Sequence, residues 1–276
     1  MTNNIDEKVV EGFGEEWSRF DQSVLSEHEQ IEIFNAYFSI FPWQKLAKEA
    51  VGFDLGCGSG RWAKLVAPKV GQLHCIDPSL AALSVAKKNC AALNNCQFHL
   101  ASVDKIPLEK ESVDFGYSLG VLHHIPNTEE GIKSCVTKLK QGAPFLLYLY
   151  YSFENRPWWF KTIWKTSEIS RFVISKSPFT VRYLLSQVIA LIIYLPLAKS
   201  SLLLEQLGIN VDSMPLSQYR RRSFYVMRTD ALDRFGTRLE KRFSKAEISQ
   251  MMQRAGLENI VFSDRAPYWC AVGYKK

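Results

Sequence analysis

The chain has 276 residues, of which 47% are hydrophobic, and a formal net charge of +6. This composition excludes a disordered or low-complexity protein and is sufficient for one large α/β core with an insertion. The six cysteines include no CxxC pair, so the sequence indicates neither a disulfide framework nor a zinc motif of that spacing.

The N-terminal region is predicted to be helical up to about residue 48. Its first residues lack the basic and apolar regions of a signal peptide, so we expect a cytoplasmic protein. A helix is predicted from Ser26 to Leu46. Its apolar side carries Ile31, Phe34, Tyr37 and Phe38.

An apolar strand beginning at Val51 leads into three glycines at alternate positions. These are Gly56, Gly58 and Gly60. Glycine lacks Cβ, so the backbone can turn sharply and approach a ligand closely. Arg61 stands where the dinucleotide fingerprint GxGxxG needs a glycine, which argues against that motif. A tight turn without a ligand is the alternative, but three glycines with Asp54 exceed what a turn needs.

The second predicted strand, Leu73 to Ile76, ends in Asp77. At the carboxyl edge of a parallel sheet this carboxylate can accept hydrogen bonds from both hydroxyls of a ribose. Alternatively, Asp77 caps the helix that begins at Pro78 and Ser79. The glycine cradle favours the ribose interpretation.

The run from Asp54 to Gly60, Asp-Leu-Gly-Cys-Gly-Ser-Gly, resembles motif I of the class I S-adenosylmethionine (SAM)-dependent methyltransferases. Residues 101–108 are similar to the family segment GDAxxLPF. Leu122-His123-His124 resembles the LHH motif of the type 11 small-molecule group. The resemblance covers about residues 31–151 and 243–274. It implies SAM as cofactor and S-adenosylhomocysteine as product.

The resemblance also implies where the cofactor binds. In the GDAxxLPF segment the family's acid meets the adenine amino group, whereas this chain has Ser102 at that position and Asp104 two residues later. A serine hydroxyl can still accept one hydrogen bond. The implied cofactor residues are Asp54, Gly56, Gly58, Gly60, Asp77, Ser102, Val103 and Leu119.

His123 and His124, at the end of the fourth predicted strand, are the leading candidates for a general base. Imidazole titrates near neutrality, and methyl transfer needs mainly alignment and removal of a proton. The alternative is a structural histidine bonded to a loop carbonyl. Related quinone O-methyltransferases have Glu-His here, sometimes with a metal, so the His-His pair predicts no metal site.

Strand and helix alternate from about residue 49 to 151, which predicts a doubly wound parallel sheet. A capping box of Ser244 and Glu247 begins a later helix, closed by Gly256, and two strands follow it. With the resemblance, the predicted fold is α/β, a Rossmann-like doubly wound seven-stranded sheet with a helical insertion between strands five and six. The predicted regions are a helical flap at 1–48, the SAM-binding domain at 49–151 and 231–276, and the insertion at 152–230.

The insertion is predicted to form the acceptor pocket or a lid over it. Between Tyr151 and Asp230 there are 11 Lys and Arg against 5 Asp and Glu. The run Arg220 to Arg222 is read as a solvated face or as a grip for an anionic substrate. The candidate substrate residues are Tyr150, Tyr151, Arg156, Trp158, Tyr183 and Tyr219.

An uncharged run of sixteen residues, 183–198, lies within the insertion. It is shorter than the roughly 20 residues needed to span a bilayer, and Pro196 is expected to interrupt it. The favoured interpretation is a helix buried on all sides against the sheet or another subunit. A lid over an apolar substrate and contact with a membrane surface are the alternatives.

We therefore expect SAM-dependent methyl transfer to a small-molecule acceptor of apolar or anionic character. RNA methylation is an alternative, favoured by the basic aromatic insertion and opposed by the LHH motif. A non-catalytic SAM-binding or assembly protein is a second alternative. A nucleic-acid partner is not expected, peripheral membrane contact is possible but not favoured, and the insertion offers a surface for a homo-oligomer.

Overall fold

The structure is a computed structural model that describes residues 3–276. Within that range, seven strands form one sheet in the order β3-β2-β1-β4-β5-β7-β6. The strands are β1 (Val51–Leu55), β2 (Gln72–Asp77), β3 (Cys96–Leu100), β4 (Phe115–Leu119), β5 (Pro144–Tyr148), β6 (Leu257–Phe262) and β7 (Cys270–Lys275). β1 to β5 pair in parallel, and β7 runs antiparallel to both β5 and β6. The predicted Rossmann-like, doubly wound, seven-stranded fold is confirmed.

The chain leaves β1 toward β2 and β3 and then returns to place β4 on the other side of β1. In open α/β sheets such a reversal of strand order opens a crevice at the carboxyl ends of the two strands, where ligands bind. The crevice here lies beyond Leu55 and Leu119. The glycine loop follows the first of these residues, and the two histidines follow the second.

Two compact units account for the chain. The first runs to Ser152 and resumes over Leu239–Lys276, and the second is Phe153–Arg238. The helices of the first unit are α1 (Glu7–Arg19), α2 (Glu27–Tyr37), α3 (Ala63–Val66), α4 (Leu80–Asn89), α5 (Thr128–Val136) and α10 (Lys245–Arg254). Those of the second are α6 (Trp158–Ile174), α7 (Phe179–Ile189), α8 (Leu195–Gln206) and α9 (Phe224–Gly236). The second unit thus extends past the expected boundary at residue 230, because α9 belongs to it.

Alternating strand residues supply the cores on the two faces of the sheet. In β5, Leu146 packs into one cluster, while Phe145 and Leu147 pack into the other. The first cluster also holds Phe34 and Phe38, which attach α2 to the sheet. This period of two is the pattern of a strand covered on both sides.

The predicted helix from Ser26 to Leu46 is too long. Helix α2 ends at Tyr37, and a separate 3₁₀ turn covers Trp43–Lys45. Pro42 disfavours a helical conformation in Phe41, so a helix could not run on from Tyr37 to Leu46. Ile31 is 41% exposed and therefore does not share the buried side of the helix.

The capping box before α10 is confirmed. The Glu247 N–H donates to the Ser244 hydroxyl, and the Glu247 carboxylate accepts from the Ser244 N–H. Gly256 follows the helix with φ of 94°, the left-handed conformation expected of a glycine that ends a helix.

A π turn, Ala190–Tyr194, joins α7 to α8, so one helical stretch runs through Phe179–Gln206. Pro196 therefore does not interrupt the helix as predicted. A proline lacks the N–H that the preceding turn would need, and the wider π turn before it absorbs the mismatch. The run was also expected to be buried on all sides. The rest of this chain does not bury it, since Leu184 and Ile192 are 57% and 61% exposed.

Candidate active site

The glycine loop after β1 folds against the end of β2. Gly56, Gly58 and Gly60 have φ of 74°, 53° and 74°. The Gly56 N–H donates to the Ile76 carbonyl at 2.7 Å, and the Gly58 N–H donates to Asp77 Oδ2 at 2.9 Å. These left-handed conformations explain why glycine recurs at every second position, and they shape the loop as a ligand cradle.

Asp54 precedes the loop in β1 and is 1% exposed. Neither of its carboxylate oxygens has a hydrogen-bond partner of normal geometry in the described part of the chain. Burial raises the pKa of Asp54 to about 8; the Tyr117 hydroxyl acts in the opposite direction, and the charge of Asp77 adds to the rise. A buried carboxylate without partners is unfavourable unless a cation or donor reaches it. Asp54 therefore suits a cationic group of a ligand.

Asp77 links the glycine loop to the start of α4. Its Oδ1 accepts from the Ser79 N–H at 2.8 Å, and its Oδ2 holds the loop as described above. The cap of α4 is Ser79, whose hydroxyl accepts from the Ala82 N–H at 3.3 Å. Burial raises the pKa of Asp77 to about 6, while the two N–H donors act against that rise. Each carboxylate oxygen keeps a second lone pair that a ribose hydroxyl can use.

The predicted adenine contacts lie after β3 and in β4. The Ser102 hydroxyl donates to Asp104 Oδ1 at 2.6 Å, so its oxygen still has a lone pair for an amino group. Val103 and Leu119 are buried, at 6% and 5% exposure. They offer apolar contact of the kind that a purine ring needs.

Helix α1 contacts the glycine loop, the start of α4 and the histidine pair. A Cβ on Gly14 would lie 2.6 Å from the Ser79 hydroxyl, so the helix backbone approaches α4 closely at that point. The Phe13 ring centroid is 4.9 Å from that of His124. Trp17 lies against Gly58. No local pattern in the sequence marks these contacts, and the role of this region as a flap stays a prediction.

His124 is buried, and its Nδ1 lies 2.7 Å from the Leu239 carbonyl oxygen. A carbonyl only accepts, so in the neutral ring Nδ1 carries the proton and Nε2 has the lone pair. This contact agrees with the alternative interpretation of a structural histidine bonded to a loop carbonyl. It also sets the tautomer that a base acting through Nε2 requires. A base role for His124 stays a prediction.

His123 is fully buried, and neither of its ring nitrogens has a hydrogen-bond partner among the described residues. Burial lowers its pKa well below the usual range, and the neighbouring His124 and Arg242 lower it further. Its ring centroid lies 3.9 Å from that of His124 and 3.9 Å from that of Tyr150. His123 is therefore a neutral ring packed between those two side chains.

The segment from Leu239 to Phe243 completes this part of the site, and sequence reasoning missed it. The Lys241 N–H donates to the His123 carbonyl at 3.1 Å. Arg242 and Glu240 form an ion pair at 2.7 Å with side chains 14% and 1% exposed. The Arg242 guanidinium lies 5.0 Å from the centre of the Tyr150 ring. No local pattern in the sequence marks this segment, because His123 and Tyr150, which it contacts, lie more than 80 residues away.

The other candidate substrate residues have different surroundings. Tyr151, in the first unit, bridges to Phe243 and contacts the Tyr268 ring at 5.6 Å. The remaining four belong to the second unit. Arg156 donates to the Asp212 carbonyl, and Trp158 is 78% exposed. The Tyr183 hydroxyl accepts from Arg228. Tyr219 packs on Tyr194 in the core of that unit. The structure thus brings Tyr150 together with the histidine pair, and the substrate roles of the others stay predictions.

Arg220 and Arg221 of the triplet are bonded to Glu205, at 2.7 Å and 2.9 Å. Hydrogen bonds from Arg220 and then Arg221 lower the pKa of Glu205 to about 2. These two arginines therefore already have an anionic partner within the second unit.

Comparison with known proteins identifies the fold. The profile of the methyltransferase domain family matches residues 53–147. The chain is 26% identical over 110 residues to tRNA (carboxymethyluridine(34)-5-O)-methyltransferase of Saccharomyces cerevisiae, which covers 37% of this chain and 36% of that protein. It is 29% identical over 106 residues to the ubiquinone biosynthesis O-methyltransferase of Albidiferax ferrireducens, covering 37% and 40%. The chain thus spans less than half the length of the curated relatives it matches.

Among solved structures, the chain resembles phosphoethanolamine N-methyltransferase 2 of Haemonchus contortus in complex with phosphomonomethylethanolamine and S-adenosylhomocysteine. The TM-score is 0.50 at 15% identity, over 94% of this chain and 44% of that one. Residues 53–147 match a methyltransferase domain, which supports the predicted class I SAM-dependent methyltransferase fold with SAM as cofactor. The buried Asp54 carboxyl fits this cofactor, because the amino acid part of SAM carries an ammonium group.

Proposed function

We propose that this chain transfers a methyl group from SAM to a small-molecule acceptor held beside His124 and Tyr150. The observation that carries the proposal is a pair of groups at the carboxyl ends of β1 and β4, one suited to the cofactor and the other to the acceptor. One is the buried carboxyl of Asp54, whose oxygens have no hydrogen-bond partner of normal geometry among the described residues. The other is the imidazole of His124, whose proton lies on Nδ1.

On the cofactor side, each residue has one task. Asp54 binds the ammonium group, Asp77 accepts from the ribose hydroxyls, and the Ser102 oxygen accepts from the adenine amino group. SAM, when bound, supplies an electrophilic methyl group. The glycines give the loop its left-handed turns and let Val121, Trp17 and helix α4 pack closely against it.

On the acceptor side, His124 Nε2 takes the proton from the hydroxyl or amine that becomes methylated. The Leu239 carbonyl keeps the ring in the tautomer that allows this. His123 and Tyr150 pack beside it and keep water away from the ring.

RNA methylation is a second candidate. It is supported by the sequence similarity of part of this chain to a tRNA methyltransferase and by the excess of basic residues between 151 and 230. The two candidates differ in salt dependence. A protein that contacts several phosphates of an RNA loses affinity for it by orders of magnitude over a fourfold rise in salt. A protein that binds a small anion loses only a few-fold.

The test is methyl transfer from radiolabelled SAM to three acceptor pools: a small-molecule extract, total tRNA and buffer alone. We expect label in the small-molecule fraction and a shallow salt dependence. Label in tRNA with a steep salt dependence would replace the proposal with RNA methylation. SAM binding without transfer to either pool would favour a non-catalytic SAM-binding protein.

A further inference from the structure

The helical stretch Phe179–Gln206, called here the long helix, exposes an apolar surface. Among the described residues it is the one helix long and apolar enough to cross a membrane by length and composition. Its mean hydropathy is 1.8 over an 18-residue window, of which 22% is buried. Its exposed large side chains are Val181, Leu184, Leu185, Val188, Leu191, Ile192, Ile193 and Leu203, each 41–61% exposed. An apolar surface of this extent marks an interaction site.

One side of the long helix is already packed. The buried residues form a stripe of Ser186, Ala190, Tyr194, Ala198 and Ser201. This side meets α9, where Tyr183 and Gln187 both accept hydrogen bonds from Arg228. At 3.6 residues per turn, Leu184, Val188 and Ile192 lie on the opposite side. The exposed surface is therefore a continuous face and not a set of isolated side chains.

The charges around this face are positive. The acids of α6 to α8 are Glu168 and Glu205, and each is ion-paired with two arginines. Four lysines on or beside these helices have no ion-pair partner in the part of the chain that the structure describes. They are Lys161, Lys165, Lys176 and Lys199. Lys199 directly follows the uncharged run 183–198, and Lys176 lies just before α7.

We propose that the long helix docks this face on a lipid bilayer with anionic headgroups, lying in the plane of the interface. The apolar side chains enter the boundary between headgroups and acyl chains, and the lysines meet the headgroups. The helix does not cross the bilayer, because its packed side is bonded to Arg228, which spanning would carry into the hydrocarbon.

The charge of this face favours an anionic bilayer over a second copy of the chain as its partner. The core of an interface between proteins is depleted in lysine, and two copies would bring the unpaired lysines of both faces together. Anionic headgroups attract each lysine instead. This inference concerns the second unit alone and does not rest on the proposed activity.

The test is co-sedimentation of the full chain with vesicles of phosphatidylcholine and phosphatidylglycerol at a ratio of about 2:1, and with vesicles of phosphatidylcholine alone. We expect binding to the anionic vesicles that weakens with salt. The triple substitution Leu184→Gln, Val188→Gln and Ile192→Gln should lower the affinity at least tenfold. Lys176→Gln with Lys199→Gln should lower it roughly thirtyfold on anionic vesicles, at about 1 kcal/mol per lysine.

Leu100→Gln with Val261→Gln is the matched control, because these side chains are 59% and 53% exposed on the sheet of the first unit. That variant should bind vesicles as the unchanged chain does. Circular dichroism checks that all variants are folded. Binding to neither vesicle, or equal binding by all variants, would overturn the proposal. A dimer in ultracentrifugation that the triple substitution dissociates, without vesicle binding, would assign the face to a second copy instead.

Discussion

The indole of Trp17 fills the space in front of Gly58, where a Cβ would lie 2.8 Å from its Nε1. The glycine is therefore constrained twice, by its φ of 53° and by helix α1. The cofactor loop and the N-terminal helix meet at this contact, so a change in either should be felt at the other.

Gly58→Ala should weaken SAM binding at least tenfold, because the added methyl must displace the indole and strain the loop. Gly142→Ala is the matched control, since Gly142 has φ of 75° and open space around its would-be Cβ. The control should lose roughly 1 kcal/mol of stability and keep its affinity for SAM. Calorimetric titration of both variants measures the difference, and equal affinities would show that the loop tolerates a side chain.

SAM binding should release a proton near pH 7. The pKa of Asp54 is about 8 in the ligand-free protein, so its carboxyl is mostly protonated there. A bound ammonium group stabilises the carboxylate and drives the proton off. Calorimetry in two buffers of different ionisation enthalpy counts the protons released. Asp54→Asn should abolish the release and weaken SAM binding; a wild-type chain that binds SAM without releasing a proton would contradict this assignment of Asp54.

The same carboxyl should make the ligand-free protein less stable as the pH rises. The folded pKa of about 8 lies above the unfolded value, so the stabilising contribution of the protonated form is complete below about pH 4. It is lost as the pH rises through the folded pKa, by about 1.4 kcal/mol per pH unit. Asp54→Asn should therefore raise Tm at pH 8 more than at pH 5. Thermal denaturation at the two pH values checks the sign, and a variant that is less stable at both would show that Asp54 has a stabilising partner.

His124→Asn and His124→Gln separate a base from a structural histidine. The asparagine amide can still donate to the Leu239 carbonyl in place of Nδ1, but it cannot accept a proton. If His124 is the base, both variants should lose 10²- to 10⁴-fold in kcat, with SAM affinity nearly unchanged. If the histidine only holds the loop, the asparagine variant should retain activity and Tm while the glutamine variant loses both.

Breaking the Glu240–Arg242 pair should destabilise the protein strongly. Removal of one partner leaves a buried charge uncompensated, which typically costs about 3–5 kcal/mol. Glu240→Gln and Arg242→Met should each show a loss of this order in urea denaturation. The double variant should lose less than the sum of the two, and strict additivity would show that the two side chains are not coupled.

The sequence by itself determined the glycine loop and the sheet that carries it. Glycine at positions 56, 58 and 60 predicts the left-handed turns, because other residues rarely adopt that conformation. The alternation of strands and helices predicts the sheet, and the chain reversal between β1 and β4 follows from its topology. The capping box before α10 is equally local, since it involves side chains three residues apart. The glycine turns and the capping box rest on interactions between near neighbours in the chain.

Only the tertiary structure decided the surroundings of His124. His124 and Leu239 are 115 residues apart, and the tautomer of the histidine depends on that one contact. The contact of Trp17 with Gly58 also joins residues that are far apart in the sequence. Burial of the long helix against the sheet was predicted wrongly for the same reason. An apolar run shows that a side chain is able to pack, but the number of neighbouring elements decides how much of it is covered. Here α9 covers one side of the long helix and leaves the opposite side exposed.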